Sequence, residues 1–140
     1  MILLDTVVLS ELRKQRPAPA VLRWLKKQED TDIFLSVVSL GEIERGIEKR
    51  RHADPQFARA LEIWLEELLR LYGERILPVT TPVARLWGRL SAQLGHEGAD
   101  LLIAATARHH GLAVATRNVR HFIPAKVAVI NPFEDKASKA

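Results

Sequence analysis

Three acidic residues stand apart by their neighbours: Asp5 in Leu4-Asp5-Thr6, Glu42 in Ser39-Leu40-Gly41-Glu42, and Asp100 in Gly98-Ala99-Asp100. Brought close together they would repel. Two carboxylates about 4 Å apart cost roughly 4 kcal/mol at an effective dielectric near 20. A trio therefore needs a proton or a cation, and an all-oxygen donor set suits Mg²⁺ or Mn²⁺. Such an ion neutralises a phosphodiester, activates water and stabilises the leaving oxygen. The chemistry in view is metal-dependent hydrolysis of a nucleic acid. Each acid also has a structural reading: Ser39-x-x-Glu42 fits a capping box, Asp100 at a helix start complements the helix dipole, and Asp5 fits an N-cap. Those readings serve the acids singly and leave a shared location unexplained.

The shared location follows from the elements. Short apolar runs at Ile2–Asp5, Asp32–Ser36, Arg75–Val79, Ala113–Thr116 and Val127–Ile130 read as strands, the third an edge strand because Pro78 interrupts it. Between them lie helical patterns: Val7–Lys14, a segment from Val21 carrying Trp24, a helix opened by Ser39, one from Pro55 stopped by Gly73, Pro82–Leu94, and Asp100–His110 closed by Gly111. Alternating strands and helices predict an α/β fold, a central parallel sheet of four to five short strands with helices on both faces. In such a sheet the carboxyl ends of strands and the amino ends of helices share one edge, where ligands bind. Asp5 closes the first strand, Glu42 falls in the first turn of the helix after the second, and Asp100 begins the helix leading into the fourth.

Composition narrows the classes. The 140 residues suit one domain, expected over 1–133 with a polar tail at 134–140. With 47% apolar and 27% charged residues the chain reads as globular. No cysteine is present, which excludes a disulfide scaffold, a thiolate zinc site and a cysteine nucleophile. Asp5 interrupts the amino-terminal apolar run too early for a signal peptide, and no stretch approaches the roughly 20 apolar residues of a membrane span. A cytoplasmic setting without membrane contact is expected.

The net charge is +4, unevenly spread. Residues 75–133 carry 7 Lys/Arg against Glu97 and Asp100 alone, whereas residues 1–74 carry 12 against 13 acids. Arginine outnumbers lysine 14 to 7, which favours forked contacts with phosphate or else reflects a GC-rich genome. Arg117, Arg120 and His121 are candidates for RNA phosphates, with solvated surface as the alternative. His96-Glu97-Gly98-Ala99-Asp100 lacks the second histidine of HExxH, and neither a phosphate-binding loop nor a G-x-S-x-G elbow occurs. An acid-edge phosphotransfer or phosphatase domain is a further reading, and the missing D-x-D after the first strand, with Val7 at its second position, argues against one large group of these. The Trp64/Leu68/Tyr72 stripe reads as core or as a partner groove. Glu134-Asp135-Lys136 has an ExK spacing but falls in the tail.

Four segments together resemble one family: MILLDTVVLSEL from Met1, LSVVSLGEIERGI from Leu35, GADLLIAATARHHGLAVATRN from Gly98, and VAVINPF from Val127. In this order and spacing the chain resembles PIN-domain ribonucleases, specifically VapC-type toxins of bacterial toxin–antitoxin pairs, over Met1 to about Phe133. The resemblance implies that Asp5, Glu42 and Asp100 are the catalytic acids and bind Mg²⁺ or Mn²⁺. It implies a fourth polar position, filled by Asn118 where other members have aspartate, and supporting roles for Thr6 and Thr116. Val7 stands where the family often has asparagine. It further implies endonucleolytic cleavage of RNA, often tRNA or ribosomal RNA, and silencing by a cognate antitoxin. A homodimer or larger assembly, with operator DNA reached only through the antitoxin, is implied as well. The contrasting expectation is a non-catalytic RNA- or DNA-binding protein on a decayed scaffold of this kind.

Overall fold

The computed structural model describes residues 1–134. The tail beyond Glu134, with most of the ExK spacing, lies outside the described residues.

Five short strands form one parallel sheet: β1 (Ile2–Leu4), β2 (Ile33–Ser36), β3 (Ile76–Leu77), β4 (Ala113–Ala115) and β5 (Val129–Ile130), in the order β3-β2-β1-β4-β5. β1 is central. It pairs Ile2 with Ile33 on one side and Leu3 with Val114 on the other. β3 lies at an edge, as the proline after it requires. The chain moves outward from β1 in one direction through β2 and β3, then returns to pair β4 on the opposite side. That reversal opens a crevice at the carboxyl ends of β1 and β4.

The central strands β2, β1 and β4 are largely buried, the edge strands β3 and β5 half-buried, and side chains alternate between two cores. Ile2, Leu4, Ile33, Leu35 and Ala115 pack with residues of α1 (Thr6–Arg13), α2 (Pro19–Lys26), α3 (Val37–Arg50) and α4 (Pro55–Tyr72). Leu3 and Val114 pack with residues of α5 (Thr81–Leu94), α6 (Ala99–His110) and α7 (Val119–Phe122). Leu3 and Leu4 have no solvent exposure; burying each contributes roughly 1.5–3 kcal/mol.

Helix ends follow local chemistry. Asp54 caps α4 by accepting from the Phe57 amide at 3.1 Å, with Pro55 in the first turn. Gly111 closes α6 at φ 69°, a left-handed conformation that favours glycine. One expectation is corrected: Ser39 does not open α3. Ser36 is the cap, its hydroxyl accepting from the Val38 amide at 3.0 Å, so the cap of α3 falls three residues earlier. Glu42 therefore sits in the second turn, where no capping box can form, and Ser39 is buried inside the helix. The short helix α7 between β4 and β5 was not legible as a periodic pattern. Within the Trp64/Leu68/Tyr72 stripe, Leu68 is core and the two aromatics pack against it half-buried. No described helix is long and apolar enough to cross a membrane.

Candidate functional site

Asp5, Glu42 and Asp100 all line one cavity of about 460 Å³ at the carboxyl edge of the sheet, together with Thr6, Arg117 and Asn118. The shared edge inferred from topology is thus where the three acids meet.

Asp5 follows β1 directly and is only 2% exposed. Its Oδ1 accepts from the Thr6 amide at 2.7 Å and its Oδ2 from the Thr116 hydroxyl at 2.8 Å. The N-cap reading and the site reading are therefore both true of this residue. Burial pushes its carboxyl up to about 6, aided by the charges of Asp100 and Glu42 and opposed by the Thr116 hydroxyl and Thr6 amide. Thr116 is itself positioned: its Oγ1 accepts from the Asn118 amide at 2.9 Å. A chain of donors thus runs from the loop after β4 into Asp5.

Glu42 reaches the cavity from α3. Its Oε1 lies 2.7 Å from Thr6 Oγ1, which is also 2.8 Å from the Ser39 hydroxyl. The Thr6 hydroxyl has one proton. An ionised carboxylate can only accept, so Thr6 donates to Glu42 and accepts from Ser39. Arg45 stands 3.8 Å from Glu42 on the next turn. Asp100, in the first turn of α6, pairs with His121 of α7, Oδ2 to Nδ1, at 2.7 Å.

Each acid therefore meets its own donor: a hydroxyl and an amide, a hydroxyl, and an imidazole. Among the described residues no three histidine or acidic side chains are drawn together closely enough to enclose an ion. The donor chemistry nevertheless fits a hard divalent cation. Asp5, Glu42 and Asp100 offer only oxygen atoms, and a cation would offset the burial that chiefly raises the Asp5 carboxyl and the lesser effect of the charges of Asp100 and Glu42.

The remaining sequence candidates divide. Asn118 lines the acid cavity, and its side chain makes no cap bond to α7. Arg117 lines it too, its guanidinium 3.8 Å from the centre of the Phe133 ring. Arg120 and His121 line an adjoining cavity with Arg45 and His96; this second space also opens on Glu42 and Asp100.

Sequence reasoning missed the Asp100–His121 pair as a contact and missed Glu11. Glu11 is a buried wall of the acid cavity, accepting from Lys14 Nζ and the Ala18 amide at 2.9 Å each. Those donors hold its carboxyl below the usual range. Its role is to tie the end of α1 to the start of α2. The i, i+3 spacing of Glu11 and Lys14 was the available signal.

A family model described as the PIN domain matches residues 2–126. Toxin FitB of Neisseria gonorrhoeae is 37% identical over 141 residues, spanning 96% of this chain and all of that protein. VapC ribonuclease Y4jK of Sinorhizobium fredii is 38% identical over 144 residues, spanning 96% of this chain and 99% of that protein. Among solved structures, FitAB bound to an IR36 DNA fragment superimposes with a TM-score of 0.81 at 35% identity, over 96% of this chain and 97% of that one.

Proposed function

The chain belongs to the PIN domain family, and from that premise we propose that it is a metal-dependent endoribonuclease acting as the toxin of a toxin–antitoxin pair. The observation that carries this reading is the meeting of Asp5, Glu42 and Asp100 in one cavity at the strand reversal. Likeness to a protein named a VapC ribonuclease supports RNA as substrate, with tRNA or ribosomal RNA the classes we favour. Likeness to FitAB on DNA supports an antitoxin partner that carries any operator contact, and a homodimer or larger toxin–antitoxin assembly belongs to the same proposal. We place the protein in the cytoplasm, as one nuclease domain over residues 1–133.

Asp5, Asp100 and Glu42 would hold Mg²⁺ or Mn²⁺. When bound, the ion supplies a Lewis acid that polarises the phosphodiester and acidifies water. The chain's own groups do the positioning. Thr116 and the Thr6 amide fix both oxygens of Asp5, the Thr6 hydroxyl fixes Glu42, and His121 fixes Asp100. Asn118 orients the attacking water. Arg117, Arg120 and His121 meet RNA phosphates at the rim. Water adds to phosphorus and the bond to the 3′-oxygen breaks, leaving 3′-hydroxyl and 5′-phosphate ends.

Inducing the protein in a bacterial host and mapping new RNA 5′ ends tests the reading, with Asp100→Asn as control. New ends at one or a few sites, absent from the control, are expected. Identical maps for the two proteins would sink it. Val7 and Asn118, the departures from the family pattern, favour the non-catalytic alternative; absence of Mn²⁺ binding at millimolar concentration in calorimetry would support that alternative.

A further inference from the structure

α3 turns three buried residues inward, Ser39, Ile43 and Ile47, each one helical turn from the next. The two isoleucines belong to the core, and Ser39 ends the stripe with a side chain that has no solvent exposure. Alanine would suit this position better as a helix former, and it would bury no polar atom. A hydroxyl inside a helix often spends its proton on the carbonyl four residues back, as Thr106 does on Leu102 at 2.8 Å. Ser39 instead reaches across to Thr6 of α1, at 2.8 Å. Thr6 gives its single hydroxyl proton to Glu42 Oε1 at 2.7 Å, so the contact with Ser39 must carry the serine's proton. The direction Ser39 to Thr6 to Glu42 is the one that an ionised carboxylate imposes. Thr6 also gives its amide to Asp5 Oδ1 at 2.7 Å. One residue thus grips two of the three cleft acids, and Ser39 grips that residue from behind the cavity wall.

We propose that Ser39 is a positioning residue of the cleft: its hydroxyl locks that of Thr6 toward Glu42, and so holds the Glu42 carboxylate ready for a divalent cation. The two Glu42 oxygens then have separate tasks. Oε1 is taken by the relay, whereas Oε2, which faces Arg45 at 3.8 Å, is left for the cation. Without the serine hydroxyl, Thr6 keeps its acceptor but loses its donor, and its side chain is free to turn about χ1. A cation must then order a carboxylate that the relay had held in place. This explains why a hydroxyl persists where packing and helix propensity favour a methyl. The inference rests on the metal-dependent reading of the cleft for the identity of the ligand.

The test uses the full chain without RNA. Calorimetry reads Mn²⁺ binding, and three-bond couplings to the Thr6 methyl carbon read its χ1 angle by NMR in the metal-free protein. Ser39→Ala should weaken Mn²⁺ binding about tenfold and Thr6→Val by up to about a hundredfold, the range for losing a partner behind a metal ligand. The double variant should bind like Thr6→Val alone, because Ser39 acts through Thr6. Ser39→Thr keeps the hydroxyl and should restore the affinity. Ser36→Ala removes the other buried serine, the cap of α3; it should lower the urea midpoint and leave Mn²⁺ binding unchanged. Thr6 should hold one rotamer in the wild type and average over several in Ser39→Ala. Wild-type affinity in Ser39→Ala overturns the proposal, as do losses that simply add in the double variant. So does a Thr6 side chain that already averages in the wild type, a result that depends on no variant folding. A wild type that binds no Mn²⁺, with the Thr6 rotamer following the expected pattern, would sink the metal reading and leave the relay from Ser39 to Glu42 standing.

Discussion

Two arginine-rich surfaces of this molecule behave in opposite ways. On the outer face of α3 and α4, cations meet carboxylates: Arg51 pairs with Glu48 at 2.7 Å and Glu62 at 2.6 Å, Arg59 with Glu62 at 3.0 Å, and Arg70 with Glu67. Around the cleft, Arg13, Arg50 and Arg117 lie on aromatic rings, and the acids Asp5, Glu42 and Asp100 hold hydroxyls, an amide and an imidazole. The outer face also bounds the roomier cavity, about 880 Å³. Size therefore does not locate the chemistry. Where charges neutralise one another in water they contribute little; around the cleft Arg45 stands 3.8 Å from Glu42, whereas Arg13, Arg50 and Arg117 lie on rings rather than on carboxylates.

The sharpest way to break this contrast is to remove a cleft acid. Asp5→Asn should reduce RNA cleavage by about 10³-fold or more, the scale of losing a group central to charge stabilisation, measured on an RNA mapped from cells. Residual activity near wild type would mean that the acids are merely structural.

A second effect reads the same acid through stability. The Asp5 carboxyl rises from 3.8 to about 6 on folding, so the folded state holds this proton more tightly than the unfolded one. The resulting stabilisation is complete below pH 3.8 and is lost as pH rises through 6. A shift of this size corresponds to about 3 kcal/mol. Denaturation in EDTA should show that decline, Mn²⁺ should reverse it at pH 7, and Asp5→Asn should flatten it. A flat wild-type profile would refute the strained state of the carboxylate.

Thr116→Val should cost about 1–3 kcal/mol, because it leaves the Asn118 amide and Asp5 Oδ2 without their partner. Urea midpoints measure it, and cleavage should fall with it. At the small end, Arg59→Glu on the outer face should change stability by no more than about 1 kcal/mol and leave cleavage unaltered. A large loss there would erase the distinction between the two surfaces.

Much of this was legible along the chain. The strands, most helix starts and the three acids follow from local periodicity and turn residues, and their common edge follows from strand–helix alternation. What escaped was long-range or subtle. The choice of Ser36 over Ser39 as cap depends on where β2 ends: both serines are buried, and Ser36 keeps the extended backbone from which its hydroxyl accepts from the Val38 amide. The Asp100–His121 pair joins α6 to a helix too short for a periodic signal. The pairing of arginines cannot be counted from composition, since Arg50 and Arg51 are adjacent and yet face a ring and two glutamates respectively. Charge runs state how much charge exists, and only the packing states which of it is free.

The strand order carries one further consequence. β1 is made before β2 and β3, but its pairing is completed by β4, more than a hundred residues later, and Thr116 then supplies the donor that orients Asp5. A nascent chain that has released only its first half carries Asp5 and Glu42 without Asp100, Thr116 or Asn118. The cleft thus cannot be assembled until the loop after β4 has been made, and a chain abandoned midway through synthesis lacks one of its three acids and the donor that orients another.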